Sequence, residues 1–150
     1  MLFRQAQIND LPLLLQMEQK LMNAERAYDA DIKAEKCHYY DFDQLLQDDQ
    51  AQVLVMEVDN NVVGMGYVQL RVSKPAHQHH RYGYMGAMYV APKHRGEGRI
   101  SQLIEQLVAW SKEQGVSNFY LDVYHDNLSA VKAYNKLGFQ PCLLEMKLNL

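Results

Sequence analysis

YMGAMYVAPKHRGEGRISQLI, residues 84–104, holds the densest structural information in the chain. An apolar run from Tyr84 to Val90 ends at Pro92, passes a turn carrying Gly96 and Gly98, and enters a segment of helical periodicity. There Ile100, Leu103, Ile104, Leu107 and Val108 fall at i, i+3, i+4, i+7 and i+8. A strand running into an amphipathic helix is the expected structure. The first N–H groups of such a helix have no intrahelical acceptor and carry the positive end of its dipole, so the turn suits an anion. Gly96 and Gly98 let the backbone approach a ligand and adopt positive φ, and Arg95 and Arg99 add charged donors. A phosphorylated ligand is one reading. A plain strand-to-helix turn is the other, because Gly-x-Gly is short enough to recur by chance.

Downstream, Gly115 stops the helix, and Phe119, Leu121 and Val123 alternate with Tyr120, Asp122 and Tyr124 as a strand. Asp126 or Asn127 caps a last helix that Gly138 ends, and Phe139 to Leu148 reads as a final strand interrupted by Pro141. Upstream, Gln52–Val58 and Val62–Val72 are β-rich and joined by Asp59-Asn60-Asn61, a hairpin signal because Asn and Asp tolerate the left-handed region. Gly64 and Gly66 inside the second strand mark a bulge or a close approach by another group. The polar loop Ser73–Arg81 carries His77, His79 and His80 with no acid or thiol at ligand spacing, so no metal is expected.

Nearer the N-terminus, Leu2–Gln5 reads as a short strand, and Asn9 or Asp10 caps a helix with Pro12 in its first turn. Leu11, Leu14, Leu15 and Leu21 make its apolar stripe; Glu18 falls on that stripe, either at its edge or facing a partner. Asn23–Asp31 reads as a loop and Lys33–Gln47 as a helix whose Tyr39, Tyr40 and Phe42 line either a contact surface or the core.

A chain of 150 residues, 48% apolar and 22% charged, fits one domain spanning 1–150 with a single core. No apolar run approaches bilayer length, and Gln5, Gln7, Asn9 and Asp10 break up any secretory core, so a cytoplasmic location is expected. Cys37 and Cys142 read as free thiols. A net charge of −3 argues against nucleic-acid and membrane partners. Residues 23–50 hold eight acids and three bases, which suits a cationic small molecule or peptide, or else a solvated helix face.

A second constellation gives the first its meaning. Asn127, Ala130 and Tyr134 are spaced three and four apart on one helix face, with Gly138-Phe139 closing the pattern. With Arg95-Gly96-Glu97-Gly98-Arg99-Ile100 upstream after MYVAP, the chain resembles the Gcn5-related N-acetyltransferase (GNAT) family over nearly its whole length. The first stretch is similar to the family's pyrophosphate motif, Arg/Gln-x-x-Gly-x-Gly/Ala; the second matches Asn-x-x-Ala-x-x-x-Tyr-x-x-x-Gly-Phe at every position. Ile100 departs from the Gly or Ala usual in the first motif, and its side chain is expected to alter the fit rather than abolish binding, since backbone N–H groups do most of the holding. Arg99, where Ile is frequent, reaches a phosphate or faces solvent. A dinucleotide fingerprint built on Gly96, Gly98 and Asp122 is weaker, because Ser101 stands where the third Gly belongs.

The resemblance implies an α/β (α+β) fold: a mixed, mostly antiparallel sheet of about six or seven strands, about four flanking helices, and a parallel strand pair that splays at the centre. It implies acetyl-CoA as co-substrate and a primary amine of a small molecule or peptide as acceptor, with a homodimer possible. Met88, Tyr89 and Val90 would meet the pantetheine arm, the turn Arg95, Gly96, Glu97, Gly98, Arg99, Ile100 and Ser101 would cradle the pyrophosphate, Asn127 and Ala130 would contact the coenzyme, and Tyr134 would sit beside its sulfur. A backbone N–H near Met88 would stabilise the carbonyl oxygen, and Tyr134 would be the acid for the departing sulfur. Tyr84 stands where histone-type members carry a basic carboxylate, leaving Glu18, Glu57, Asp122 and His125 as ends of a water chain, or solvent alone. The missing strand acid and Ile100 also admit a catalytically silent CoA-binding module.

Overall fold

The computed structural model describes residues 1–150. Five strands, β1 (Leu2–Gln5), β2 (Ala51–Val58), β3 (Asn61–Val72), β4 (Arg81–Val90) and β5 (Phe119–Leu121), form one sheet in that order. Pairing is antiparallel from β1 to β4 and parallel between β4 and β5. Four helices join them: α1 (Leu11–Glu25), α2 (Phe42–Gln47), α3 (Arg99–Glu113) and α4 (Leu128–Lys136). The expected α+β class, parallel pair and helix number are present.

Strand alternation divides the interior into two cores. On one face Val53, Val55, Met65, Tyr67, Ala87 and Tyr89 pack with Leu14, Met17, Phe42 and Leu45 of α1 and α2. On the other, Leu54, Met56, Val68, Met85 and Val90 pack with Leu103, Ile104 and Leu107 of α3. The β2–β3 hairpin turns at Asp59 and Asn60, with φ of 51° and 65°, as its sequence predicts. Arg4 grips Asp10 through two hydrogen bonds of 2.8 and 2.9 Å, fixing the start of α1 against β1 and holding the Asp10 carboxyl below its usual range.

Gly66 is a close-approach position. A Cβ there would lie 2.5 Å from Leu103 Cδ2 and 2.6 Å from Met88 Sδ, so α3 rests on bare backbone. Gly66→Ala is expected to destabilise the protein by about 1–3 kcal/mol through overpacking. In a thermal melt that corresponds to about 2–4 °C of Tm per kcal/mol at this chain length; an unchanged Tm would mean that α3 shifts freely over the sheet.

Two expectations are corrected. The helix over Lys33–Gln47 is confined to Phe42–Gln47, starting where Asp41 accepts the Gln44 N–H at 3.1 Å. The preceding residues are taken by a long-range contact: Tyr39 and Tyr40 donate their N–H groups to Glu18, at 3.0 and 2.9 Å. Phe42 thereby belongs to the core and Tyr40 packs against it, its ring tilted on Phe42 and edge-on to Tyr67. The sheet has five strands rather than six or seven, because Phe139–Leu148 pairs with none of them and every residue from Gln140 to Leu150 is exposed.

Candidate active site

The parallel pair parts where chemistry is expected. β4 and β5 pair only at Gly83–Phe119, Tyr84–Tyr120 and Met85–Leu121, so Gly86 to Val90 face no strand on that side. A bulge follows: Gly86 pairs with Tyr67 and Tyr89 with Met65, leaving Ala87 and Met88 together opposite Gly66. Ala87 takes φ of 57°, uncommon for a residue with a Cβ, and its N–H donates to the Tyr40 hydroxyl at 3.2 Å. Ala91 donates to Val63, so Val90, paired with Gly64, turns its main-chain groups toward the splay. Its carbonyl is taken there by Arg95 Nε at 2.6 Å.

The turn at Gly96 and Gly98 closes the far end of the splay. Their φ values of 83° and 71° require glycine, and a Cβ at either would meet nothing within 4 Å, so the turn is open. Gly98 is the N-cap of α3 without a side-chain cap, and the first intrahelical bond runs from Gln102 N–H to Gly98. The N–H groups of Arg99, Ile100 and Ser101 therefore have no intrahelical acceptor, and the residues present fit a pyrophosphate. Ile100 is partly buried and packs against the second core, to which Leu103 and Ile104 of the same helix belong. Arg99 pairs with Glu97, and the Arg95 guanidinium lies over the Tyr89 ring.

Across the splay, Asn127 caps α4, accepting from Ala130 N–H at 3.4 Å and from Ser129 Oγ at 3.3 Å. Tyr134 is set edgewise on Phe139, with ring centroids 5.8 Å apart. Burial pushes its phenol up to about 12, and the nearby charge of Glu25 adds to the effect.

Glu25 was not among the sequence candidates. At the C-terminal end of α1, its charge acts on Tyr39, Tyr40, Tyr124 and Tyr134 together, and burial raises its own carboxyl, opposed by the Tyr39 hydroxyl. One signal was available: Glu25 is seven residues beyond Glu18, on the same stripe of α1. The four earlier candidates are occupied or remote. Glu18 is fully buried against the 38–40 loop, Glu57 binds Arg4 at 2.8 Å on the β1 side, Asp122 accepts from Tyr84 OH at 2.8 Å, and His125 is exposed. Beside Glu25 lies a cleft of about 360 Å³ lined by Met22, Asp29, Ile32, His38, Tyr39 and Tyr124. The Asp31 N–H and then the Tyr124 hydroxyl hold the Asp29 carboxyl below its ordinary range. His79, from the His-rich loop, instead bridges Ser73 and Tyr120 at 2.6 and 2.9 Å.

A sheet opened between two parallel strands, an open turn whose first helical N–H groups have no intrahelical acceptor, and a half-buried tyrosine on α4 make up the candidate site. The chain belongs to the acetyltransferase (GNAT) family, whose model matches residues 18–139. It is thus an acyltransferase. It is 27% identical over 138 residues to the aminoglycoside N(6')-acetyltransferase type 1 of Acinetobacter haemolyticus, covering 79% of this chain and 91% of that protein. It is 42% identical over 60 residues to the uncharacterized N-acetyltransferase YobR of Bacillus subtilis (strain 168), a match covering 40% of this chain and 24% of that protein. The crystal structure of a predicted acetyltransferase with acetyl-CoA from Clostridium acetobutylicum superposes with a TM-score of 0.78 at 22% identity, covering 99% of this chain and 95% of that one. No helix is long and apolar enough to cross a membrane.

Proposed function

We propose that the chain moves the acetyl group of acetyl-CoA directly to a primary amine of a cationic small molecule or peptide. The observation that carries this reading is the splay of β4 from β5 followed by the open turn at Gly96 and Gly98, and the charge of Glu25 felt by the half-buried Tyr134 supports it. The coenzyme supplies an acyl group on a thioester. The turn from Arg95 to Ser101 holds its phosphates, and Met88, with no register partner on β3 or β5, offers main-chain groups within the splay. Glu25 draws a proton from the incoming ammonium, which must be neutral to attack. The nitrogen–carbon bond forms, the nitrogen gives up its second proton to solvent, and the carbon–sulfur bond breaks with its electron pair going to sulfur, to which Tyr134 donates a hydrogen bond. A phenol near 12 is a weaker acid than a thiol near about 8.5, so Tyr134 stabilises the thiolate without surrendering its proton at equilibrium. The silent-module alternative is weakened, because Ile100 is partly buried against the core that α3 shares with the sheet.

The acceptor is identified by acetyl-CoA turnover, read as free thiol, across aminoglycosides, polyamines, amino acids and N-terminal peptides. The named Acinetobacter relative puts aminoglycosides first. Acetyl-CoA binding with no product from any amine would overturn the reading. Glu25→Gln is expected to lower kcat/KM about fivefold to tenfold near pH 7, because solvent still accepts protons without it. The sign with pH follows from the active form. Carboxylate is the base, so wild-type activity rises as pH passes the raised Glu25 pKa, and the variant loses that limb. Identical profiles would remove Glu25 from the mechanism.

A further inference from the structure

Glu18 and His38 form a pair that the acetyl transfer above does not use. Glu18 is fully buried on α1, and its Oε1 meets His38 Nδ1 at 2.6 Å. The loop is pinned to α1 around this contact. Gln19 Nε2 donates to the Cys37 carbonyl at 2.7 Å, and the Tyr39 and Tyr40 N–H groups donate to Glu18 Oε2.

An ionised carboxylate only accepts, so the contact places the ring hydrogen of His38 on Nδ1. Nε2, on the far side of the ring, keeps its lone pair and bonds to no group of the chain. The ring is 47% exposed and lines the cleft of about 360 Å³ beside Glu25. A buried carboxylate behind an imidazole whose other nitrogen is open to a cleft is the arrangement that makes a histidine a proton acceptor.

We infer that His38 Nε2 takes the second proton of the attacking nitrogen, with Glu18 as the residue that positions it. The inference rests on the acetyl transfer proposed above, in which that proton goes to solvent; His38 is its way out. The N–H bond breaks with its electron pair staying on nitrogen, and the proton joins the Nε2 lone pair. The ring becomes an imidazolium whose Nδ1–H stays on Glu18, and water at its exposed face then takes the proton from Nε2. Only the neutral ring accepts, so His38 adds an acidic limb to the rate profile beside that of Glu25. The titratable groups facing it are Glu18 on α1, Asp29, Asp31, Lys33, Cys37 and Tyr39 in the cleft wall, and Tyr124 after β5, with Lys147 on the two aspartates.

Glu18→Gln tests both roles, because its side-chain amide donates to Nδ1 and moves the ring hydrogen to Nε2, which then accepts nothing. Nitrogen-15 NMR of the ring, titrated to its neutral form, is expected to show Nδ1–H in the native protein and Nε2–H in the variant. Kinetics use saturating acetyl-CoA and the best amine of the panel above, kanamycin and spermidine included. The variant's kcat is expected to fall about tenfold at pH 7, less than a positioned base can contribute because solvent still takes the proton. KM for acetyl-CoA stays unchanged and the His38 limb is lost. A native ring with its hydrogen on Nε2 overturns the inference without recourse to the variant. A native rate in the variant overturns it too, as does a fall equal at every pH, which a loosened loop alone would give. Each of those results leaves acetyl transfer standing, whereas a native protein that acetylates no amine removes the transfer and this step together.

Discussion

Tyr134→Phe is expected to lower kcat about 100-fold while acetyl-CoA affinity stays within about twofold. A hydrogen bond to a charged group is worth about 1.5–3 kcal/mol, and the upper end of that range corresponds to about 100-fold in rate. The affinity is expected to be spared because, in the proposed reading, the turn at Gly96 and Gly98 holds the coenzyme's phosphates and the hydroxyl acts only when charge develops on sulfur. The pH profile separates the two roles. With the phenol raised to about 12, Tyr134 does not titrate in the range where the enzyme is assayed, so it adds no alkaline limb. Single-turnover measurements with saturating coenzyme, alongside calorimetry, read both quantities. A variant that turns over at the native rate leaves sulfur without a protein partner and ends the assignment.

Much of this was legible in the chain because it was local. The i, i+3, i+4 spacing from Ile100 to Val108 describes α3, and the Asp59-Asn60 pair describes its hairpin turn through the φ > 0 that both residues adopt. Ile100 shows how a motif can outweigh a pattern. Read against the family motif it is an intruder at the pyrophosphate, yet the same residue opens the apolar stripe, and the stripe decides where its side chain goes.

What stayed hidden depends on contacts distant in sequence. α2 begins nine residues later than its composition predicts because Glu18 claims the N–H groups of Tyr39 and Tyr40, which a helix would have used internally. Glu25 acquires its setting from tyrosines at 39, 40, 124 and 134, contributed by the loop before α2, the segment after β5, and α4. The strand pattern after Pro141 was legible, but pairing is a property of two segments, and this one pairs with none of the five strands.

Glu18→Ala is expected to cost about 3–5 kcal/mol, a large part of the about 5–15 kcal/mol that stabilises a domain. The carboxylate is fully buried, and its two oxygens have different tasks. Oε2 receives both the Tyr39 and Tyr40 N–H groups, while Oε1 meets His38 Nδ1 at 2.6 Å. Alanine strands two backbone donors, each costing about 1–3 kcal/mol when unpaired in the interior, and opens a cavity beside Leu14 and Met17. Glu18→Gln separates geometry from charge. Its amide oxygen replaces Oε2 and keeps both N–H bonds, and its NH₂ donates to a neutral His38 Nδ1, so it is expected to cost no more than about 1 kcal/mol. The damage from alanine also travels. Tyr40 carries the hydroxyl that holds the Ala87 N–H at the bulge, and Tyr39 lies against Glu25, so a loosened 38–40 loop reaches the splay from two sides. Urea unfolding of both variants, with acetyl transfer on the fraction that remains folded, measures the two consequences separately. Equal stability for alanine and the native protein would mean that the loop is held by Tyr40 packing alone, with Glu18 a bystander.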